Sequence, residues 1–239
     1  HDQNFKNLIL DYPREALAFF APEEAAGIDD SATITPIRQE LLKNRLGDRF
    51  HELDVPLKVE WPDGRRAALL FLLEEETDPE RFSIYRLVSY CATLAEVCKT
   101  DQVVPIVIFL RSSPRIRRRL ELGGDNLTFL TFHYLACVLS DLPAEQYKDS
   151  ANIVARITLP TMAYARRQVI DIMAWALRGL EMEPDAEKRF KYMGFIDAYS
   201  QLDDNEYQAF TQRYPKEEHT MTSIAQRAMA QGLNQGLHQ

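Results

Sequence analysis

Residues 53 to 73 run as an apolar stretch from Leu53 to Trp61, the triplet Pro62-Asp63-Gly64, and a second apolar stretch from Ala67 to Leu73. Asp-Gly between two such runs is a strong hairpin signal. No other stretch constrains the fold as tightly, because an antiparallel pair fixes which side chains share a face. With a loop from Pro62 to Arg66 and Trp61 paired with Ala67, Asp54 falls opposite Glu74. Asp54, Lys58, Glu74 and Glu76 then project from one face. Three carboxylates at that spacing repel unless a cation sits among them or protons are shared, and oxygen ligands grouped this way suit Mg²⁺ or Mn²⁺. The run Ala67 to Leu73 is apolar on both faces, which predicts a central strand covered on both sides. Acids leaving the end of such a strand point into a crevice. The plainer reading of Glu74-Glu75-Glu76 is a strand end running into solvent. A register one residue different would disperse the acids.

A hairpin alone does not fold, and the flanking sequence supplies what covers it. Thr77-Asp78-Pro79-Glu80 has the pattern of a helix start. Ile84, Leu87, Val88, Cys91, Leu94, Ala95 and Cys98 form an apolar stripe at helical spacing, predicting a helix from Pro79 to Lys99. Val103 to Leu110 reads as a buried strand, set parallel to Ala67–Leu73 by a right-handed crossover. Upstream, Asp2 to Phe20 reads as one or two helices broken near Pro13, Ala21 to Asp30 as a loop or short helix, and Ile37 to Leu46 as a helix or irregular segment. Downstream, Leu127 to Leu139 is apolar, strand then helix. Beyond Leu142 the pattern is helical, over Ala144–Ala155, Met162–Leu180, Asp185–Ser200, Asp203–Tyr214 and Met221–Leu237. The fold class expected is α/β, a mixed central sheet flanked by helices in residues 1–142, followed by a mostly helical region in 143–239 that packs on the core or serves oligomerisation.

The 239 residues carry a formal net charge of −8, which argues against a protein that coats nucleic acid indiscriminately. A local basic segment remains. Arg111, Arg115, Arg117, Arg118 and Arg119 fall within nine residues that contain no acid. Such a cluster suits phosphate contact without base preference, and equally a solvated segment paired with nearby acids. Arg86 and Tyr90, four apart, share a helix face; Arg86 could hold a phosphate, orient a carboxylate, or form an ordinary ion pair. Cys91, Cys98 and Cys137 have no CxxC spacing, and the five histidines form no zinc pattern. The thiols suggest a reducing compartment. The opening residues do not read as a secretory signal, and no run of apolar residues is long enough to span a bilayer. A cytoplasmic protein is expected.

The order of these segments resembles the PD-(D/E)XK nuclease core: a helix, a strand bearing Asp, a hairpin, a strand bearing Glu-x-(Lys or Gln), a helix and another strand. More narrowly, the chain is similar to the Rpn family of bacterial recombination-promoting nucleases, often labelled putative transposases. The residues that carry the likeness are His1-Asp2 with Phe5-Lys6, Leu53-Asp54-Val55, Trp61-Pro62-Asp63-Gly64, Leu70-Phe71-Leu72-Leu73-Glu74, Arg86 with Tyr90, and Val103-Val104-Pro105-Ile106-Val107. They cover roughly residues 1 to 112, with a weaker continuation through Asn152–Arg156. The resemblance implies metal-dependent cleavage of DNA phosphodiesters, with Asp54 and Glu74 as metal ligands and Mg²⁺ or Mn²⁺ as cofactor. It also implies a homo-oligomer, commonly a dimer, because cutting both strands uses paired sites. One position departs. Glu76 stands where the superfamily has Lys and many Rpn-like members have Gln. Glu76 could bind the metal itself or disable the site, and Lys58, or Lys6 from the first helix, is then the candidate for the missing cation. A catalytically degenerate binding or regulatory module is the alternative reading.

Overall fold

The computed structural model describes residues 2–38, 55–74, 82–114 and 116–223. They divide into two compact units, His1–Asp141 and Leu142–Gln239. The first is α/β. Its described strands are β1 (Thr33–Pro36), β2 (Val55–Glu60), β3 (Arg66–Glu74), β4 (Val103–Phe109), β5 (Arg119–Gly123), β6 (Thr128–His133) and β7 (Leu135–Val138). A mixed five-stranded sheet runs in the order β1-β2-β3-β4-β7, and β5 and β6 form a separate two-stranded ribbon. β1–β2 and β2–β3 are antiparallel, while β3–β4 and β4–β7 are parallel.

The hairpin forms where the sequence places it, with a tighter turn than expected. The Trp61 N–H bonds the Arg65 carbonyl and the Gly64 N–H bonds the Trp61 carbonyl. Gly64 adopts φ 88°, a left-handed conformation that costs glycine little. This is a three-residue loop with its αL position filled by Gly. The Asp63 carboxylate accepts from the Arg65 N–H and Nε, which lowers its pKa. Glu60 therefore pairs with Arg66 and Lys58 with Ala68, rather than Trp61 with Ala67. The shift from the expected register is two residues, so the faces are kept and only the partners change. Val55 faces Phe71 at the last described pair, and Asp54 lies outside the described residues.

Both faces of β3 are covered, as its composition predicts. On one side α1 (Asp2–Asp11) and α2 (Pro13–Phe20) bury Phe5, Leu8, Leu17 and Phe20. Pro13 occupies the start of α2, where its missing N–H costs nothing, and the Phe20 ring meets Phe71 edge-on at 6.3 Å. A short helix, α3 (Pro22–Ala25), leads to β1, an edge strand that the sequence reading did not anticipate. On the other side lies α4 (Ile84–Cys98), whose Ile84, Leu87, Tyr90, Leu94 and Cys98 join Ala68, Leu70 and Val107 in one buried cluster.

α4 starts later than the expected Pro79. Ser83 is its N-cap, its side chain accepting from the Arg86 N–H. Phe82, just outside the cap, and Leu87, in the first turn, belong to the same core cluster, the arrangement of a hydrophobic staple. The Thr77–Glu80 start signal lies outside the described residues. At the other end Lys99 takes φ 53°, with the Thr100 N–H on the Ala95 carbonyl and the Lys99 N–H on Glu96, a Schellman closure. Pro105 in β4 lacks a donor, yet β4–β7 pairing begins only at Ile106, so no ladder bond is lost on that side. Residues 128–138 are two strands rather than strand then helix.

The second unit is helical, with α5 (Ile153–Ile157), α6 (Val169–Gly179), α7 (Ala186–Ser200), α8 (Asp204–Arg213) and a helix over residues 215–223. The helix expected over Ala144–Ala155 is instead a single 3₁₀ turn at Ala144–Gln146 followed by α5, because Asn152 caps a new start by accepting from the Val154 and Ala155 N–H groups. The next helix begins at Val169, not Met162. Ion pairs join elements distant in sequence: Arg178 with Glu217, and Arg213 with Asp171, which also accepts from the Tyr214 hydroxyl. Arg166 donates to the last carbonyls of α7 and to Glu206, the capping-box residue of α8. Met221 begins a segment that lies mostly outside the described residues.

Leu87 sits 1% exposed between α4 and the sheet. Leu87→Ala is expected to lower the unfolding free energy by about 2–5 kcal/mol, read from the urea midpoint. A loss under about 1 kcal/mol would contradict the packing described.

Candidate functional site

β3 and β4 run side by side to Glu74 and Phe109, which are paired in register at the carboxyl end of the sheet. Ligand sites of open α/β sheets gather at this kind of strand end. Three contacts extend it outward. The Phe82 ring packs edge-on against Phe109 at 5.6 Å, the Tyr134 ring lies 5.4 Å from Phe82, and the Tyr134 hydroxyl donates to the Arg117 carbonyl at 3.1 Å. The basic segment is thus tied to the same end of the sheet as Glu74.

Arg117 is exposed, with its guanidinium 5.8 Å from the centre of the Tyr85 ring and its Nε donating to the Arg119 carbonyl. Arg118 is exposed. Arg119 opens β5, ion-paired with Glu121 and opposite His133 on β6. Arg111 is exposed on the approach. Arg86 is half-buried in the first turn of α4, on the same face as the fully buried Tyr90. Tyr85 and Arg86 therefore stand at the amino end of α4, whose dipole favours anions, beside the Phe82–Phe109 contact. Among the expected site residues, Glu74, Arg86, Arg117, Arg118 and Arg119 are brought toward one end of the unit.

Lys58 is not among them. It pairs with Glu60 at 2.6 Å, and Glu60 also takes Arg66 at 3.2 Å, so the hydrogen bond from Lys58 and the two cations hold the Glu60 carboxyl low. Lys58 lies opposite Ala68 and close enough to Cys98, the last residue of α4, for its charge to act on that thiol. Ala68 is six positions before Glu74 on β3, roughly 20 Å along the strand at the usual rise. Lys58 keeps the predicted face and stands toward the hairpin turn, away from Glu74, while Asp54 and Glu76 of the expected acid group lie outside the described residues. The cause is the reach of the hairpin, since parity fixes the side of a sheet and says nothing of distance along it.

Asp54, Glu76 and Arg115 lie outside the described residues, and Glu74 is described at the backbone only. Among the described residues, no group of three or more His, Cys, Asp or Glu side chains is placed to hold a metal ion. The cysteines are held in the thiol form by burial. Burial pushes the Cys91 and Cys137 thiols up to about 12 and raises Cys98, while metal binding and attack need the thiolate.

Sequence reasoning missed the roles of Phe82, Tyr134 and the β5–β6 ribbon. The ribbon had a readable signal. Arg119-Leu120-Glu121-Leu122 alternates, and Gly123-Gly124-Asp125-Asn126 is a turn. No protein-family model matches the chain, no curated protein matches it, and no solved structure matches it. Among the described residues, no helix is long and apolar enough to cross a membrane.

The Tyr134–Arg117 bond makes a local claim. Tyr134→Phe removes one hydrogen bond, about 1 kcal/mol, and is expected to speed amide exchange over residues 116–119 about fivefold in hydrogen-exchange mass spectrometry, with β4 unchanged. Unaltered exchange in that segment would show that the bond does not hold it.

Proposed function

We propose that this chain is a divalent-metal-dependent DNA endonuclease of the recombination-promoting type, hydrolysing phosphodiesters at the carboxyl end of β3 and β4. The observation that carries the reading is the gathering of Glu74 and the arginine segment at one end of a buried parallel strand pair, through Phe109, Phe82 and Tyr134. Glu74 is the last residue of β3, at the carboxyl end of the strand. Asp54 and Glu74, with Glu76, are the residues that would hold Mg²⁺ or Mn²⁺. Such an ion, when bound, lowers the pKa of a coordinated water and stabilises the charge that develops on the phosphoryl group. Arg86 and Arg117 are the residues that would grip a scissile or flanking phosphate. Arg86, at the amino end of α4, is the cation that would take over the role that Lys plays elsewhere in the superfamily. The reading extends to a homodimer, which light scattering tests.

A second reading keeps the fold without the hydrolysis. Glu76 in place of Lys, together with the pairing of Lys58 to Glu60 at the opposite end, favours a nuclease-fold module that binds DNA or protein. Calorimetry with Mn²⁺ separates the two: binding abolished by Glu74→Gln supports the nuclease, and absence of binding supports the module.

Plasmid nicking with Mg²⁺ or Mn²⁺ tests the first reading directly. Asp54→Ala and Glu74→Ala are expected to lower the rate by about 100-fold or more, since even groups that only support a metal ligand cost 10–100-fold. Lys58→Ala is expected to stay within about twofold of wild type, as befits an exposed ion pair. Equal activity in all four proteins, or none in any, would reject the endonuclease.

A further inference from the structure

The β5–β6 ribbon is packed down by one face. Leu120 is fully buried in the α4 cluster, and Leu122, Leu130 and Phe132 are half-buried against it. The opposite face presents the cross-strand pairs Arg119 with His133 and Glu121 with Thr131, all exposed. Two aromatic rings flank it. Arg117 links Tyr85, 53% exposed, to the start of β5: its guanidinium lies 5.8 Å from the Tyr85 ring centre and donates to the Tyr85 hydroxyl at 3.4 Å and to the Arg119 carbonyl at 3.0 Å. At the other end the register slips between Leu122 and Gly123, and Phe129 falls in that irregularity, 71% exposed next to Leu127 at 69%. Gly123 is obligatory there, because a Cβ would lie 2.2 Å from the Leu127 carbonyl oxygen. The bulge that turns Phe129 outward is therefore built into the chain.

Large exposed rings are costly to leave in water, and here they stand toward the two ends of a polar face bordered by Arg117 and Arg118. Glu121 occupies Arg119, which leaves Arg117 and Arg118 as the cations for phosphate. A two-stranded ribbon can read a duplex by entering the major groove, but this one is held flat on its core by four apolar residues. A flat face with stacking rings and flanking arginines suits an unpaired strand, whose bases expose their π-faces.

We infer that the outward face of the β5–β6 ribbon binds single-stranded DNA, with Tyr85 and Phe129 as base-stacking platforms and Arg117 and Arg118 as phosphate contacts. This rests on the DNA-directed reading above and narrows it from DNA in general to unpaired DNA, such as a displaced strand or a single-stranded end. One base stacks on the exposed Tyr85 ring, and Phe129 takes a second base along the strand.

The test is fluorescence anisotropy of labelled oligothymidine about 12 nucleotides long, within the usual span of such sites, against a duplex of equal length. Measurements are made in EDTA with the full chain, so that hydrolysis plays no part. Single strand is expected to bind at least about tenfold more tightly than duplex. Phe129→Ala and Tyr85→Ala are each expected to weaken it about 5- to 100-fold, with Phe129→Trp restoring wild-type affinity. Phe129 is mostly exposed, and unchanged circular dichroism checks that its removal leaves the fold intact. Replacing Arg117 and Arg118 by Gln should flatten the salt dependence by about 1.4 in log–log slope, at about 0.7 per phosphate contact. Duplex binding equal to single-strand binding, no binding of single strand, or wild-type affinity in both Ala variants would overturn the inference. Plasmid nicking with wild-type affinity in both Ala variants would leave the nuclease standing and reject this surface. Ring-dependent single-strand binding without any nicking would do the reverse.

Discussion

Leu69, Leu70 and Phe71 on one strand, and Ile106, Val107 and Ile108 on the next, have no solvent exposure at all. The first unit is arranged around hiding these six residues. A parallel pair needs a long crossover, and α4 is that crossover. Its apolar stripe matches the face that Ala68, Leu70 and Val107 present, while α1 and α2 cover the face of Phe71. The backbone groups of β3 and β4 have no water to bond, so each must find its partner in the ladder. Once that pair is fixed, its carboxyl end is fixed too, and with it the positions of Glu74, Phe109 and the amino end of α4.

The aromatic contacts at that end tie the sheet core to the surface arginines. Phe82 closes the core over Phe109 and sets the first residue of α4. Tyr134 touches Phe82 with its ring and holds Arg117 with its hydroxyl. The arginine segment is therefore anchored to the core rather than loose on the surface. Its charges are individually modest in water, but they are gathered at one place, and that matters more for phosphate than the −8 of the whole chain.

Much of this was legible in the chain, in proportion to how local its cause is. The hairpin was readable from Asp63-Gly64 and the two apolar runs. The parallel crossover was readable from the apolar stripe and the two-sided apolar strands. The register was off by two because the loop closes between Trp61 and Arg65, and its length depends on Gly64 adopting a left-handed conformation. The helix start falls later than expected because Ser83 caps it beside the buried Phe82, a contact that sequence alone does not announce. Lys58 was placed on its face by alternation, which carries no information about distance along the strand. The roles of Phe82 and Tyr134 depend on contacts between residues about 27 and 52 positions apart, which periodicity does not carry. In the second unit, Asn152 cut a continuous helical pattern by capping a new start.

The proposed endonuclease requires an ion held at the carboxyl end of β3 and β4. The most direct measurement is anomalous diffraction at the manganese edge from crystals of the full chain grown with Mn²⁺. The account predicts a peak within coordination distance of the Glu74 carboxylate, at the end of the sheet where Phe109 lies. A manganese peak at Glu60, near the opposite end, or well-ordered Glu74 carboxylate density with no metal beside it, would contradict it.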